Sequence, residues 1–160
     1  MEKLLKYETF SKNVWECCCG QGHLSKVLED YGYDVKSTDL IDRGYGIGDI
    51  DFLKTNEKFD GDIITNPPYK LAKEFVVKAL DTITDGHKVC FLLRIQFLEG
   101  VNRYTNLFSK YPPKYIYIPT KRINCARNGE FDKYTGSVVC FIWIIWEKGY
   151  KGEPTVRWIM

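Results

Sequence analysis

Two hydrophobic rhythms alternate along this 160-residue chain: short apolar runs and helical stripes. Val14–Cys19 is a continuous apolar run that predicts a buried strand. His23–Tyr31 carries Leu24, Val27 and Leu28 on one stripe and predicts a helix, which Gly32 ends. Asp34–Leu40 predicts a second strand, and the Gly-rich stretch Gly44–Phe52 a short third one. Phe59–Thr65 is the fourth. Leu71–Ile83 predicts a helix with Phe75, Val76, Ala79 and Leu80 spaced for burial. Lys88–Leu93 is the fifth strand and Val101–Tyr111 reads as helical. Tyr115–Ile118 and Val138–Trp146 are the last two strong strands, and Pro154–Ile159 predicts an edge strand.

Strands alternating with helices predict an α/β fold, a doubly wound and mostly parallel seven-stranded sheet. The last two strong strands are separated by polar, loop-like sequence alone, Lys121–Gly136, so they predict an antiparallel C-terminal hairpin. That loop is long enough to expect a function of it. No repeat, low-complexity tract or linker interrupts the pattern, and the length fits a single domain over 1–160.

Composition is that of an ordinary globular chain, 44% apolar and 28% charged. The longest apolar stretch, Ser137–Trp146, has the length of a strand and is too short for a membrane span. The N-terminus lacks the apolar core of a signal peptide, so the expected location is the cytoplasm. Cys17, Cys18 and Cys19 are adjacent and would alternate faces on a strand, and no Cys-x-x-Cys pair exists. The expectation is free thiols in a reducing compartment and no metal. Charge is uneven: residues 1–80 carry a balance of −3 and residues 81–160 a balance of +5, a bias compatible with nucleic acid.

The chemistry-bearing residues cluster where predicted strands end. The run Asp62-Ile63-Ile64-Thr65 stops in Asn66-Pro67-Pro68-Tyr69. Two prolines fix two backbone angles and remove two N–H donors, and the first pushes Asn66 out of the helical region. The corner is stiff, with free carbonyls, an amide and an aromatic ring, a set suited to gripping a planar group that carries an amine. Upstream, the first strand runs into Glu16-Cys17-Cys18-Cys19-Gly20-Gln21-Gly22, a Gly-x-Gly turn that lets a ligand approach the backbone. Asp39 closes the second strand about 20 residues on, where an acid can hold ribose hydroxyls. Ser25 stands in place of a third glycine, and a carboxylate at Glu16 would repel pyrophosphate but hold an ammonium. The pattern therefore favours S-adenosylmethionine over a dinucleotide.

Glu16-x-x-x-Gly20-x-Gly22, Asp39 and Asn66-Pro67-Pro68-Tyr69 resemble the motifs of class I S-adenosylmethionine-dependent amino-methyltransferases of the N6-adenine type. Their order resembles the gamma arrangement. Ile41–Gly46, Gln96–Gly100 and Trp146–Pro154 are similar to small methyltransferases of phages and prophages. The resemblance spans most of the chain from Val14 onward and implies a Rossmann-like methyltransferase fold. It implies cofactor contacts at Gly20 and Gly22 beneath the methionine moiety, at Cys17, at Glu16 near the ammonium and at Asp39 on the ribose. Asp51 would meet the adenine amine and Phe52 the adenine ring, with Asp49 as a rival for that role. Asn66 would touch both cofactor and substrate. The family's usual N-terminal cofactor contact has no counterpart in the short segment before Val14, so Lys12 supplies it or it is missing.

The implied reaction is methyl transfer to an exocyclic amine, adenine N6 in DNA foremost. The Asn66 side-chain oxygen and the Pro67 carbonyl would accept the amine's two hydrogens, and Tyr69 would stack on the base, with Pro68 beside it. A duplex base must first be flipped out. The substrate side would use the loops Arg94–Arg103 and Lys121–Gly136, with Arg122, Asn124, Arg127 and Phe131 on phosphates and bases. Nothing resembles a separate target-recognition domain. DNA is preferred over RNA as partner; RNA adenine or guanine, a protein glutamine amide, or a non-catalytic module of the same fold are the alternatives.

Overall fold

The computed structural model describes residues 1–123 and 139–160. Seven strands form one sheet in the order β2-β1-β3-β4-β6-β5-β7. They are β1 Asn13–Glu16, β2 Asp34–Ser37, β3 Asp62–Thr65, β4 Lys88–Arg94, β5 Tyr115–Pro119, β6 Phe141–Glu147 and β7 Thr155–Ile159. All are mutually parallel except β6, which runs antiparallel between β4 and β5. The predicted C-terminal hairpin is therefore the β5–β6 pair, with Tyr115 opposite Ile145 and Tyr117 opposite Trp143. The helices are α1 Glu2–Leu5, α2 His23–Asp30, α3 Ala72–Thr82 and α4 Val101–Arg103, the last running directly into a π-helical stretch, Tyr104–Phe108.

The sheet has a packed face on each side, as period-2 alternation on a doubly covered sheet requires. On one face Val89, Phe91 and Leu93 of β4 join Ile142, Ile144 and Trp146 of β6 beneath Phe75, Val76 and Ala79 of α3. On the other, Cys90 and Leu92 join Trp143 and Ile145, covered by Leu4 of α1 and Leu28 of α2. Trp158, on the edge strand β7, is 65% exposed. Cys17, Cys19 and Cys90 are buried, while Cys18 and Cys140 are half-buried. No helix among the described residues is long and apolar enough to cross a membrane.

The expected strand over Gly44–Phe52 does not form. Gly44, Gly46 and Asp49 take left-handed backbone angles, which interrupt an extended run. What remains is a single bridge, Thr38 to Ile47, followed by a 3₁₀ turn at Phe52–Lys54. The strand count is kept by Thr155–Ile159, which forms a full edge strand on β5. The first strand also ends earlier than its apolar run, at Glu16; Cys17 and Cys18 belong to the turn that follows.

Candidate active site

The carboxyl ends of β1, β2, β3 and β4 lie at one edge of the sheet, where parallel α/β folds keep their ligand sites. β1 leads into the glycine loop, which ends at Gly22, the residue capping α2. Gly20 and Gly22 both have positive φ, 55° and 79°. A side chain at Gly20 would meet nothing within 4 Å, so that flank of the loop is open. A Cβ at Gly22 would lie 2.4 Å from the ring of Tyr45. Tyr45 thus closes the other flank, with its hydroxyl donating to Glu29 Oε1 at 3.1 Å.

Asp39 ties the loop to β2. Its Oδ2 accepts from the Gly20 N–H at 2.8 Å and its Oδ1 from the Ile41 N–H at 3.0 Å. The carboxylate therefore sits beside the open glycine with lone pairs to spare. Glu16 lies differently. It is 2% exposed and accepts a hydrogen bond from the Ser25 hydroxyl. Ser25 in turn lies 2.7 Å from the Ser37 hydroxyl. Burial pushes the Glu16 carboxyl up to about 8, against the bond from Ser25, which lowers it. Cys17, the next residue, is buried as well. Burial likewise pushes the Cys19 thiol up to about 11, with Glu16 and Asp39 adding to the shift.

Asp51 caps the 3₁₀ turn, its Oδ1 accepting from the Leu53 N–H at 3.1 Å, and pairs with Lys54. Phe52 is 2% exposed, edge-on to Trp15 at 5.3 Å and stacked on Phe75 at 5.5 Å. Its ring belongs to the core and has no free face for an adenine. Lys12 lies at the other end of the sheet, donating to the Gly32 carbonyl and 3.4 Å from Asp34. It is remote from the glycine loop, which corrects the expectation that it could supply a cofactor contact.

β3 delivers the Asn66-Pro67-Pro68-Tyr69 corner next to the glycine loop, because β3 is the neighbour of β1. Asn66 and Tyr69 are half-buried, Pro67 is buried and Pro68 exposed. The Tyr69 hydroxyl donates to Asn66 Oδ1 at 3.0 Å. The Tyr69 ring packs 5.7 Å from Phe141, and the Arg94 guanidinium lies 4.9 Å from its centroid. One residue earlier, Thr65 Oγ1 is a buried hydroxyl without a partner among the described residues. An orphan of this kind beside a corner is where polar ligand groups are expected.

Arg94 and Phe141 were missed at sequence level as partners of Tyr69; only the pairing of β4 with β6, Arg94 opposite Phe141, brings them together. Arg122 is exposed, just beyond β5. Asn124, Arg127 and Phe131 lie outside the described residues, as does most of the Lys121–Gly136 loop. No cluster of metal-ligating side chains exists among the described residues. Two cavities adjoin the corner, about 410 and 160 Å³, sharing Tyr69, Phe97 and Arg103. A larger one, about 490 Å³, lies at the opposite end of the sheet against Trp146 and Tyr150 and is remote from the glycine loop.

No family model and no curated protein sequence match the chain. Solved structures do. An O-methyltransferase predicted from Agrobacterium tumefaciens superposes with a TM-score of 0.64 at 14% identity, covering 91% of this chain and 78% of that one. A hemolysin candidate from Lactococcus lactis gives 0.70 at 12% identity, covering 98% and 89%. A TehB-like SAM-dependent methyltransferase from Corynebacterium glutamicum gives 0.58 at 13%, covering 92% and 85%. At such identities the likeness defines the fold: the chain has the Rossmann-like fold of class I methyltransferases.

Proposed function

We propose that this protein transfers a methyl group from S-adenosylmethionine to an exocyclic amine, adenine N6 in DNA foremost. The observation that carries the reading is the corner after β3: an amide oxygen steadied by Tyr69, in a strand adjacent to the one that feeds the open glycine loop. The residues present fit the cofactor. Gly20 leaves room for a ligand against the backbone, and the Asp39 carboxylate stands beside it for ribose hydroxyls. Glu16, whose carboxyl keeps its proton near pH 7, ties the end of β1 to α2 through Ser25 and would offer the methionine ammonium a hydrogen-bond acceptor rather than a charge. When bound, S-adenosylmethionine supplies an electrophilic methyl on a sulfonium.

The protein's part is positioning. An adenine amine is a poor nucleophile because its lone pair is delocalised into the ring. Asn66 Oδ1 keeps one lone pair after accepting from Tyr69, and the Pro67 carbonyl offers a second acceptor. Accepting both amine hydrogens favours a pyramidal nitrogen whose lone pair is free to react. Tyr69, held between Arg94 and Phe141, sets the height of the base. No side chain need remove a proton before the methyl moves.

The test is incubation of the purified protein with labelled S-adenosylmethionine and DNA, followed by mass spectrometry of the nucleosides. N6-methyladenine is the expected product. Asn66→Ala should abolish transfer while S-adenosylhomocysteine affinity, measured by calorimetry, stays within about twofold. Label in RNA or protein but never in DNA would overturn the substrate, and an Asn66→Ala variant with normal turnover would overturn the role of the corner.

A further inference from the structure

We infer that the cleft between the start of α3 and the Gln96–Arg103 segment holds the phosphodiester backbone of the DNA strand that carries the target base. The inference rests on the methyl-transfer reading for where the base sits. Its own evidence is the make-up of the two cavities that meet at Tyr69. Lys70, Lys73, Arg94 and Arg103 line them, against a single carboxylate, Glu74. None of the four cations forms an ion pair among the described residues. Lys36, Lys58 and Lys114, by contrast, each have a carboxylate partner. Unneutralised cations in a concave site focus positive potential and draw an anion in.

The two arginines are preorganised for phosphate. Arg103 donates Nε to the Glu99 carbonyl at 2.7 Å and Nη2 to the Gln96 carbonyl at 3.1 Å. Those bonds fix the guanidinium plane without using Nη1. Arg94 lies over the Tyr69 ring, an arrangement that orients a guanidinium while leaving its N–H edge for an oxyanion. The lysines add point charges on the α3 side. Because Tyr69 lines both cavities and also bonds Asn66, the cleft opens directly onto the corner. A strand whose base reaches Asn66 must carry its phosphates past this wall, and Val101, 83% exposed on the rim, offers apolar surface to a neighbouring unstacked base.

The experiment is fluorescence anisotropy with a labelled single-stranded DNA of about 20 nucleotides, titrated between about 50 and 200 mM salt. The double variant Lys70→Gln, Lys73→Gln should bind about tenfold more weakly, and its log Kd against log salt slope should shrink by about 1.4, two phosphate contacts on a single strand. A variant carrying Lys3→Gln and Lys6→Gln makes the same change in net charge at exposed positions on and just after α1, outside the cleft lining, and should move neither. Equal losses in the two variants, or a wild-type protein that binds an RNA of the same sequence but not the DNA, would overturn the inference. S-adenosylhomocysteine calorimetry runs in parallel. DNA binding with the expected change of slope but no cofactor binding would uphold the cleft and sink the methyl-transfer reading.

Discussion

Glu16 shows how a residue's burial can redirect its chemistry. A carboxylate four residues before a glycine loop reads in sequence as an open ligand for an ammonium, because sequence carries no signal for depth. In the structure it is buried and accepts from Ser25, which in turn meets Ser37, its carboxyl pushed up from 4.5 to about 8 by burial. The consequence for stability has a definite sign. Between pH 4.5 and about 8 the unfolded chain has released this proton while the folded chain keeps it. The native state then binds more protons, so stability falls as pH rises through that window and levels off above it. The slope approaches ~1.4 kcal/mol per pH unit inside the window. Glu16→Gln keeps the hydrogen-bonding shape without the charge. Its melting temperature should pull ahead of wild type steadily from about pH 5 to 8. A constant difference across that range would mean that Glu16 ionises freely in the folded state. Asn66 is the opposite case: two following prolines announce its conformation, so its half-buried place at the end of β3 was legible. Phe52, like Glu16, is buried to a depth its sequence position does not announce, its ring packed against Trp15 and Phe75.

Element by element, the strongest apolar runs were legible and the punctuation was not. β4 and β6 announce themselves because both of their faces are buried, so every position is apolar. The Gly44–Phe52 stretch misled because alternating apolar residues outweighed two glycines that turn left-handed. The segment serves the glycine loop instead, laying Tyr45 against Gly22 and along α2. That packing makes the two loop glycines unequal. Alanine at Gly20 suffers only the left-handed backbone, about 1 kcal/mol, since its Cβ meets open space. Alanine at Gly22 adds a collision with the Tyr45 ring and should cost about 3 kcal/mol. Placing Gly22→Ala in a Tyr45→Ala background should bring its cost down toward the Gly20 value. Urea unfolding of the four proteins measures this, and equal costs at the two glycines would show that Tyr45 does not pack there.

At the scale of the whole molecule, strand order was beyond the sequence. Alternation predicts a parallel sheet, but the insertion of β6 between β4 and β5 is decided by long-range pairing that leaves no local trace. The same holds for the first ten residues, which read as a short lead-in and prove to be a tie across three strands. Glu8, 8% exposed, accepts from Lys88 of β4 at 2.7 Å through Oε1 and from Tyr117 of β5 at 2.8 Å through Oε2. Arg157 of β7 donates to the same Tyr117 hydroxyl at 3.0 Å. Leu4 is fully buried beside Ile159 in the core of that face. Removing Glu8 would leave the Lys88 ammonium with the Thr9 carbonyl but no countercharge, and a phenol whose acceptor is gone, and breaking one partner of a buried pair costs far more than the pair contributes. Glu8→Ala should therefore destabilise the protein by about 3 kcal/mol in chemical denaturation, whereas Glu8→Gln, which still accepts from Tyr117, should cost about half as much. Hydrogen exchange at the β7 amides should rise in parallel, since the lead-in segment and the edge strand are held by one network. An alanine variant as stable as wild type, with β7 exchange unchanged, would show that the segment rests on the sheet without fastening it.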